Sequence, residues 1–174
     1  MEVEVQILDE RLKGWGFPAY GSALAAGLDL FACIDAPVRL TPQGQPQMIS
    51  SGLSFRIGSP DWCALVVPRS GVAHLEGLVL GNTVGVVDSD YTGLCLISAW
   101  NRNPRSCSSD STDDAIIIRP GDRIAQLLFV RITRPTFRLV GAFSEMTGRG
   151  SRGFGSTGVS IKPAEARRTE DPGV

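Results

Sequence analysis

Gly85-Val-Val-Asp88-Ser-Asp90-Tyr91-Thr-Gly93 lies between two apolar, strand-like runs, Leu78-Val-Leu80 and Leu94-Cys-Leu-Ile97. Asp-Ser-Asp and Thr-Gly are turn chemistry, so the stretch reads as the tip of a β-hairpin. That tip carries a carboxylate and an aromatic ring. A carboxylate there can orient a water, and a ring beside it can pack on a flat or ring-shaped ligand. Taken alone, the segment is by default an ordinary hairpin, because Asp and Gly are common turn residues.

The same short period runs outward along the chain. Residues 2 to 7 alternate Glu, Val, Glu, Val, Gln, Ile, and Leu53, Phe55 and Ile57 alternate with Ser54 and Arg56. Ala64–Val67, Val84–Val87, Leu94–Trp100, Ala115–Ile118 and Leu127–Val130 are brief apolar runs punctuated by Gly, Pro, Asn and Asp. Many short strands with frequent turns predict an all-β barrel or sandwich. One short helix is expected after Ser70, through Val72, Ala73, His74 and Leu75 to a stop at Gly77, with Ser70 as N-cap. The Ser70–Gly71 amides then either face an anion or close a structural turn, and the local sequence leaves both readings open.

Bulk properties exclude several classes. A length of 174 residues suits about one domain with a real core. A formal charge of −1 without a basic block predicts no nucleic-acid surface. The acidic, alternating N-terminus is unlike a signal peptide, and no apolar run approaches the roughly 20 residues of a membrane span. Cys33, Cys63, Cys95 and Cys107 lack Cys-x-x-Cys spacing, and His74 is the only histidine, so a zinc site is not expected. Cys33, Cys63 and Cys95 read as small core residues, and the expected compartment is a reducing cytoplasm. Arg102–Asp114 is polar, and the tail from Lys162 to Val174 is charged with no apolar period; both are expected to be poorly ordered.

Four further motifs accompany the first: Ala26-Gly-Leu-Asp29-Leu, Pro68-Arg-Ser-Gly71, Arg123-Ile-Ala-Gln126-Leu and Gly148-Arg-Gly-Ser-Arg-Gly-Phe154-Gly-Ser-Thr-Gly158. The set, in this order, resembles the trimeric dUTP pyrophosphatase (dUTPase) family, and Gly81-Asn82 through Trp100-Asn101 resembles its bacterial branch. The resemblance covers about residues 3 to 158. It implies a distorted jelly-roll over residues 1–158, with 102–114 as an inserted surface loop and 146–158 as a glycine-rich closing arm. Residues 159–174 are then a disordered tail. Also implied are hydrolysis of dUTP to dUMP and pyrophosphate with Mg²⁺, and a homotrimer whose sites draw on three subunits. Such an enzyme keeps uracil out of DNA and supplies dUMP for thymidylate synthesis.

Roles carried over motif by motif are as follows. Asp88 aligns with the family's water-activating aspartate, and Asp90, two residues on, is left to stabilise the turn. Tyr91 is implied to pack on the deoxyribose and exclude a 2′-hydroxyl. Asn82 and the hairpin backbone are implied to read uracil. Arg69, Ser70, Gly71 and Gln126 are implied to contact phosphate oxygens, and Asp29 to reach Mg²⁺ through a coordinated water. Read from the residues alone, Asp29 in its apolar run either caps backbone or faces a site. Arg69's plainer role is a surface ion pair, and Gln126's is a backbone-bonding strand residue. Asp122 and Arg123 are expected to shape the turn after Pro120-Gly121. In the arm, Arg149 is implied to clamp the terminal phosphates and Phe154 to stack on uracil, with Gly155 and Ser156 beside it. The spelling Gly148-x-Gly150-x-x-Gly153 is not a dinucleotide fingerprint, because no helical pattern follows it.

Three positions depart from the family pattern. Arg152 stands where relatives often have glycine, Thr92 and Leu94 replace polar residues beside the tyrosine, and Arg102–Asp114 lengthens a connection. Two rival activities are weaker. A dCTP deaminase on the same fold needs a glutamate beside the hairpin, where this chain has Leu94. A non-catalytic nucleotide-binding module would not need Asp88, Tyr91 and Phe154 together.

Overall fold

Period-two alternation builds the sheets as expected. Leu53, Phe55 and Ile57 are buried and Arg56 is exposed, while Ser54 on the other face is also covered and donates to Thr92 O. The computed structural model describes residues 1–18, 20–105, 114–145, 147–148 and 150. The strands are β1 (Glu4–Ile7), β2 (Leu28–Phe31), β3 (Val38–Leu40), β4 (Gln47–Arg56), β5 (Trp62–Val67), β6 (Leu78–Leu80), β7 (Gly85–Val87), β8 (Leu94–Asn101), β9 (Ile116–Ile118) and β10 (Arg123–Arg131). They form one sheet in the order β1-β4-β8-β6, a second in the order β2-β10-β5-β7, and the pair β3-β9. Leu30, Ile49, Leu53, Ile97, Ile118 and Leu127 fill the core they share. This is the expected all-β, jelly-roll class.

The chain divides at Arg134 into two compact units, and every strand lies in the first. In the second, Phe137, Leu139 and Phe143 are largely exposed, and Gly150 N–H donates to the Thr147 carbonyl at 3.0 Å. Cys107, Arg149, Arg152, Phe154, Gly155 and Ser156 lie outside the described residues, as do 106–113 of the expected insertion. No helix among the described residues is long and apolar enough to cross a membrane.

Three local expectations change. The stretch 85–93 is not the tip of a two-strand hairpin. β6 pairs with β8, Leu80 opposite Ala99, and Gly81 N–H still donates to Ser98 O. Beyond that point β7 leaves for the other sheet and pairs with β5. The helix after residue 70 is a single wide turn, α2 (Val72–Glu76), capped by Gly71 without a side-chain bond, so Ser70 is not its N-cap. Gly77 does stop it, in the left-handed region at φ 80° that glycine adopts without penalty. A short helix, α1 (Arg11–Gly14), was not foreseen, since one turn is too brief to show a 3.6-residue period.

Asp9 holds α1 in place. Arg11 donates to its carboxylate from Nε at 2.9 Å and from a terminal nitrogen at 2.6 Å, and also from its backbone N–H at 3.0 Å. Those bonds hold the Asp9 carboxyl below the usual carboxylate range. Burial, with the Asp9 charge nearby, pushes the Cys33 thiol up to about 11, so it stays an inert thiol. Cys63 and Cys95 are likewise buried and free.

Beside β1, which ends its sheet, lies an open apolar cleft of about 260 Å³ lined by Val3, Phe17, Tyr20, Phe55 and Phe129 among others.

Because Asp9 is depressed in the folded state, its stabilisation is full above the unfolded carboxylate value of about 4. It is lost as pH falls through the lower folded value. Asp9→Asn is therefore expected to reduce the thermal midpoint at neutral pH, with the gap from wild type closing in acid. Melts across that range check it; a gap that persists below both values would rule out the ion pair as its source.

Candidate active site

β10 is the central strand of the site, and its neighbours set what faces what. Gln126 lies opposite Asp29 on β2 and opposite Val67 on β5, so one row crosses three strands. From Val67 the chain runs on through Pro68 to Arg69, Ser70 and Gly71. In a regular strand Arg123 and Gln126, three residues apart, would point to opposite faces. The register between β10 and β2 shifts between Arg123 and Ala125, and such a bulge re-aims a side chain. Arg123 and Gln126 thus line the same cleft.

That cleft measures about 420 Å³, in the range of small-molecule sites. It is lined by Asp29, Arg69, Ser70, Gly71, Arg123 and Gln126 among others. Leu28, Leu30 and Phe31 go into the core, leaving Asp29 on the cleft side with its side chain 16% exposed. Asp29 accepts from Arg69 Nε on Oδ1 at 2.8 Å and from Arg123 on Oδ2 at 3.1 Å. Arg69 also donates to the Arg123 carbonyl at 3.1 Å. Asp29 therefore faces a site rather than capping backbone. Arg69 is neither loose nor merely superficial. Arg123, expected only to shape a turn, belongs to the cleft; Asp122 keeps the turn role, accepting from Arg119 N–H at 2.7 Å.

Gln126 is held as closely. Its Nε2 donates to the Pro68 carbonyl at 2.9 Å. A Cβ on Gly27 would land on its Oε1 and come within 3.1 Å of Cδ, so any larger residue there would displace the amide from this position. One amide hydrogen serves the loop at Pro68, and a second remains to donate into the cleft. Two guanidiniums against one carboxylate leave the cleft cationic, although the whole chain carries −1. α2 is too short for its dipole to matter much; the arginines supply the charge for an anion.

Asp88 and Tyr91 are elsewhere in the same chain. β5 and β7 pair from Ala64 opposite Val87 to Val66 opposite Gly85. This antiparallel register puts Asp88 level with Cys63, near the start of β5, while Arg69 lies two residues beyond its end at Val67. At about 3.3 Å per residue, they are separated by roughly 15–20 Å. The tip is anchored where it lies. Gly58 N–H donates to Ser89 O at 3.0 Å, and Ser54 Oγ donates to Thr92 O at 2.7 Å. Asp88 and Asp90 are exposed and Ser89 is buried. Tyr91 is 46% exposed, and its hydroxyl donates to Leu94 O at 3.1 Å. Thr92 and Leu94 take part in these anchors through their carbonyls. Asn82 sits in the turn where the chain leaves β6, with Val84 N–H donating to its carbonyl at 2.7 Å.

The dUTPase family pattern matches residues 13–158. A deoxyuridine 5′-triphosphate nucleotidohydrolase of Xylella fastidiosa (strain M23) is 45% identical over 158 residues, spanning 90% of this chain and 95% of that protein. Its counterpart in Burkholderia cenocepacia (strain HI2424) is 42% identical over 158 residues, spanning 91% and 99%. Among solved structures, the dUTPase of Staphylococcus bacteriophage 80alpha with dUPNHPP superposes with a TM-score of 0.78 at 26% identity. It covers 91% of this chain and 99% of that one.

Asp29→Asn removes the only charge that faces both guanidiniums across hydrogen bonds in this cleft. It is expected to cost about 1–3 kcal/mol, the usual worth of bonds to charged groups. Urea denaturation measures this; an unchanged midpoint would mean that other contacts hold Arg69 and Arg123.

Proposed function

The chain belongs to the dUTPase family and is a dUTP-hydrolysing enzyme, and we propose that it works at a site completed by copies of itself. The observation that carries this reading is the cationic cleft at Asp29, Arg69 and Arg123, set against the distant Asp88. The cleft suits a triphosphate, and its one carboxylate, Asp29, is committed to two guanidiniums rather than to deprotonating water. Asp88 offers a carboxylate for that task at a place the cleft of its own chain does not reach.

The chemistry then divides as follows. Water attacks the α-phosphorus of dUTP, forming the new P–O bond as the bond to the bridging α–β oxygen breaks. Asp88 orients that water and accepts its proton. Charge developing on the departing pyrophosphate is met by Arg69 and Arg123, fixed in advance by Asp29, with Ser70, Gly71 and Gln126 as neutral donors. Tyr91 packs on the deoxyribose. β7 and the Leu94–Ile97 part of β8 each keep one backbone edge unpaired after they separate. Those edges, with Asn82, supply donors and acceptors for uracil. Roles for Arg149, Phe154, Gly155 and Ser156 rest on the family resemblance alone, because these residues lie outside the described ones.

Both Asp29 oxygens accept from guanidiniums, and no group of three or more potential metal-binding His, Cys, Asp or Glu occurs among the described residues. Each carboxylate oxygen has a further lone pair for a water. This donor set fits Mg²⁺ brought in on the phosphates and touched by Asp29 through water, not a resident, directly ligated ion. When bound, Mg²⁺ neutralises phosphate charge. A homotrimer supplies Asp88 from one copy to the cleft of another. The reaction, in a reducing cytoplasm, limits uracil in DNA and yields dUMP.

Ion-exchange analysis of products from dUTP, dCTP, dTTP and UTP tests the activity. dUMP and pyrophosphate are expected from dUTP alone, with Asp88→Asn slower by about 10²–10⁴-fold. Asp88→Asn and Arg69→Ala chains, refolded together in equal amounts, should recover about a quarter of wild-type activity, because random assembly rebuilds that share of sites. A mixture as inactive as its components would refute the shared site.

A further inference from the structure

Gly93 closes the motif that began the sequence reading, and its backbone does not explain why it is glycine. It is not among the residues with left-handed φ, which include Gly52, Gly58, Gly77 and Gly121. Space explains it. An ideal Cβ at Gly93 would fall on the Tyr91 hydroxyl oxygen, 2.6 Å from Cζ and 3.1 Å from Cε2. The Tyr91 ring therefore lies against the bare Cα of Gly93 while its hydroxyl donates to Leu94 O at 3.1 Å.

We propose that Gly93 is a positioning residue for sugar discrimination: its missing side chain seats the Tyr91 ring where a 2′-hydroxyl would collide with it. The proposal rests on Tyr91 facing the deoxyribose, as read above. The surroundings fix the backbone that carries this ring. Its turn is closed by Tyr91 N–H donating to Asp88 O at 3.2 Å, and the residues on either side are tied to β4 and to Gly58. The backbone beneath the ring is therefore set, and the ring is the part free to yield. A methyl at Gly93 meets the far end of a half-exposed side chain, so the ring swings off Leu94 O and the fold stays. Moving the ring by about 1 Å opens the space that excluded a ribose, and misplacements of that size are costly in enzyme sites.

The test is the ratio of kcat/KM for dUTP over UTP in wild type, Gly93→Ala, Tyr91→Ala and the double variant, with thermal melts alongside. Gly93→Ala is expected to lower the ratio by about tenfold or more. In the Tyr91→Ala background it should change nothing, since no ring remains to displace, and this non-additivity marks direct coupling. A ratio that survives Gly93→Ala while Tyr91→Ala collapses it overturns the proposal alone. An equal effect of Gly93→Ala in both backgrounds overturns it too, because the methyl would then act through the fold. A wild type without preference for dUTP, or a preference indifferent to Tyr91→Ala, overturns instead the reading on which the proposal rests.

Discussion

The antiparallel register of β5 is the constraint on which the rest depends. β5 is pinned on one side by β10, from Val67 opposite Gln126 to Trp62 opposite Arg131, and on the other by β7. A slip of one residue would turn Ala64 and Val66 out of the core. With the register fixed, the loop from Pro68 to Gly71 leaves one end of the strand and Asp88 lies near the other. Their separation exceeds what attack at a single phosphorus allows. The proposal of a site shared between copies takes its footing from this strand pairing.

Within the cleft, one carboxylate fixes two guanidiniums. Arginine suits this because its planar fork can bond Asp29 and still present other N–H groups. Asp29 cancels part of the positive charge, which lowers the attraction for an anion. The bonds to Asp29 hold both cations in set orientations, and prior orientation is what the proposed electrostatic catalysis calls for. Gly27 and Gln126 extend the same logic. A glycine leaves room for an amide that ties the Pro68 carbonyl to the central strand. The motifs Ala26–Leu30, Pro68–Gly71 and Arg123–Leu127 thus read as one mechanical unit spread over three strands.

Much of this was legible in the sequence, and the exceptions have physical causes. Alternation exposed the strands because burial on one face leaves a period of two, as at Leu53, Phe55 and Ile57. Asp29 stood out because a charge among Leu28, Leu30 and Phe31 needs a reason. Arg123 was misjudged because its face depends on a bulge that leaves no mark on the letters around it. The hairpin was misjudged because β7's true partner, β5, is distant in sequence, and apolar runs do not say which sheet they will join. Ser70 was assigned a cap on composition alone, while the turn began one residue later. The roles of Asp88 and Tyr91 came from family resemblance, and the structure adds how firmly their shared turn is tied down.

Among the described residues β1 ends its sheet with an unpaired outer edge, next to the apolar cleft lined by Val3, Phe17 and Phe129. Val5 on that strand is about half exposed, while Glu4 pairs with Arg56 at 3.0 Å. An unsatisfied strand edge beside an oily groove is adhesive toward any extended chain. Charges at Glu2 and Glu4 hinder indiscriminate pairing without preventing it. A newly made chain is therefore exposed to aggregation, so the cost of this architecture falls in biosynthesis, before catalysis begins.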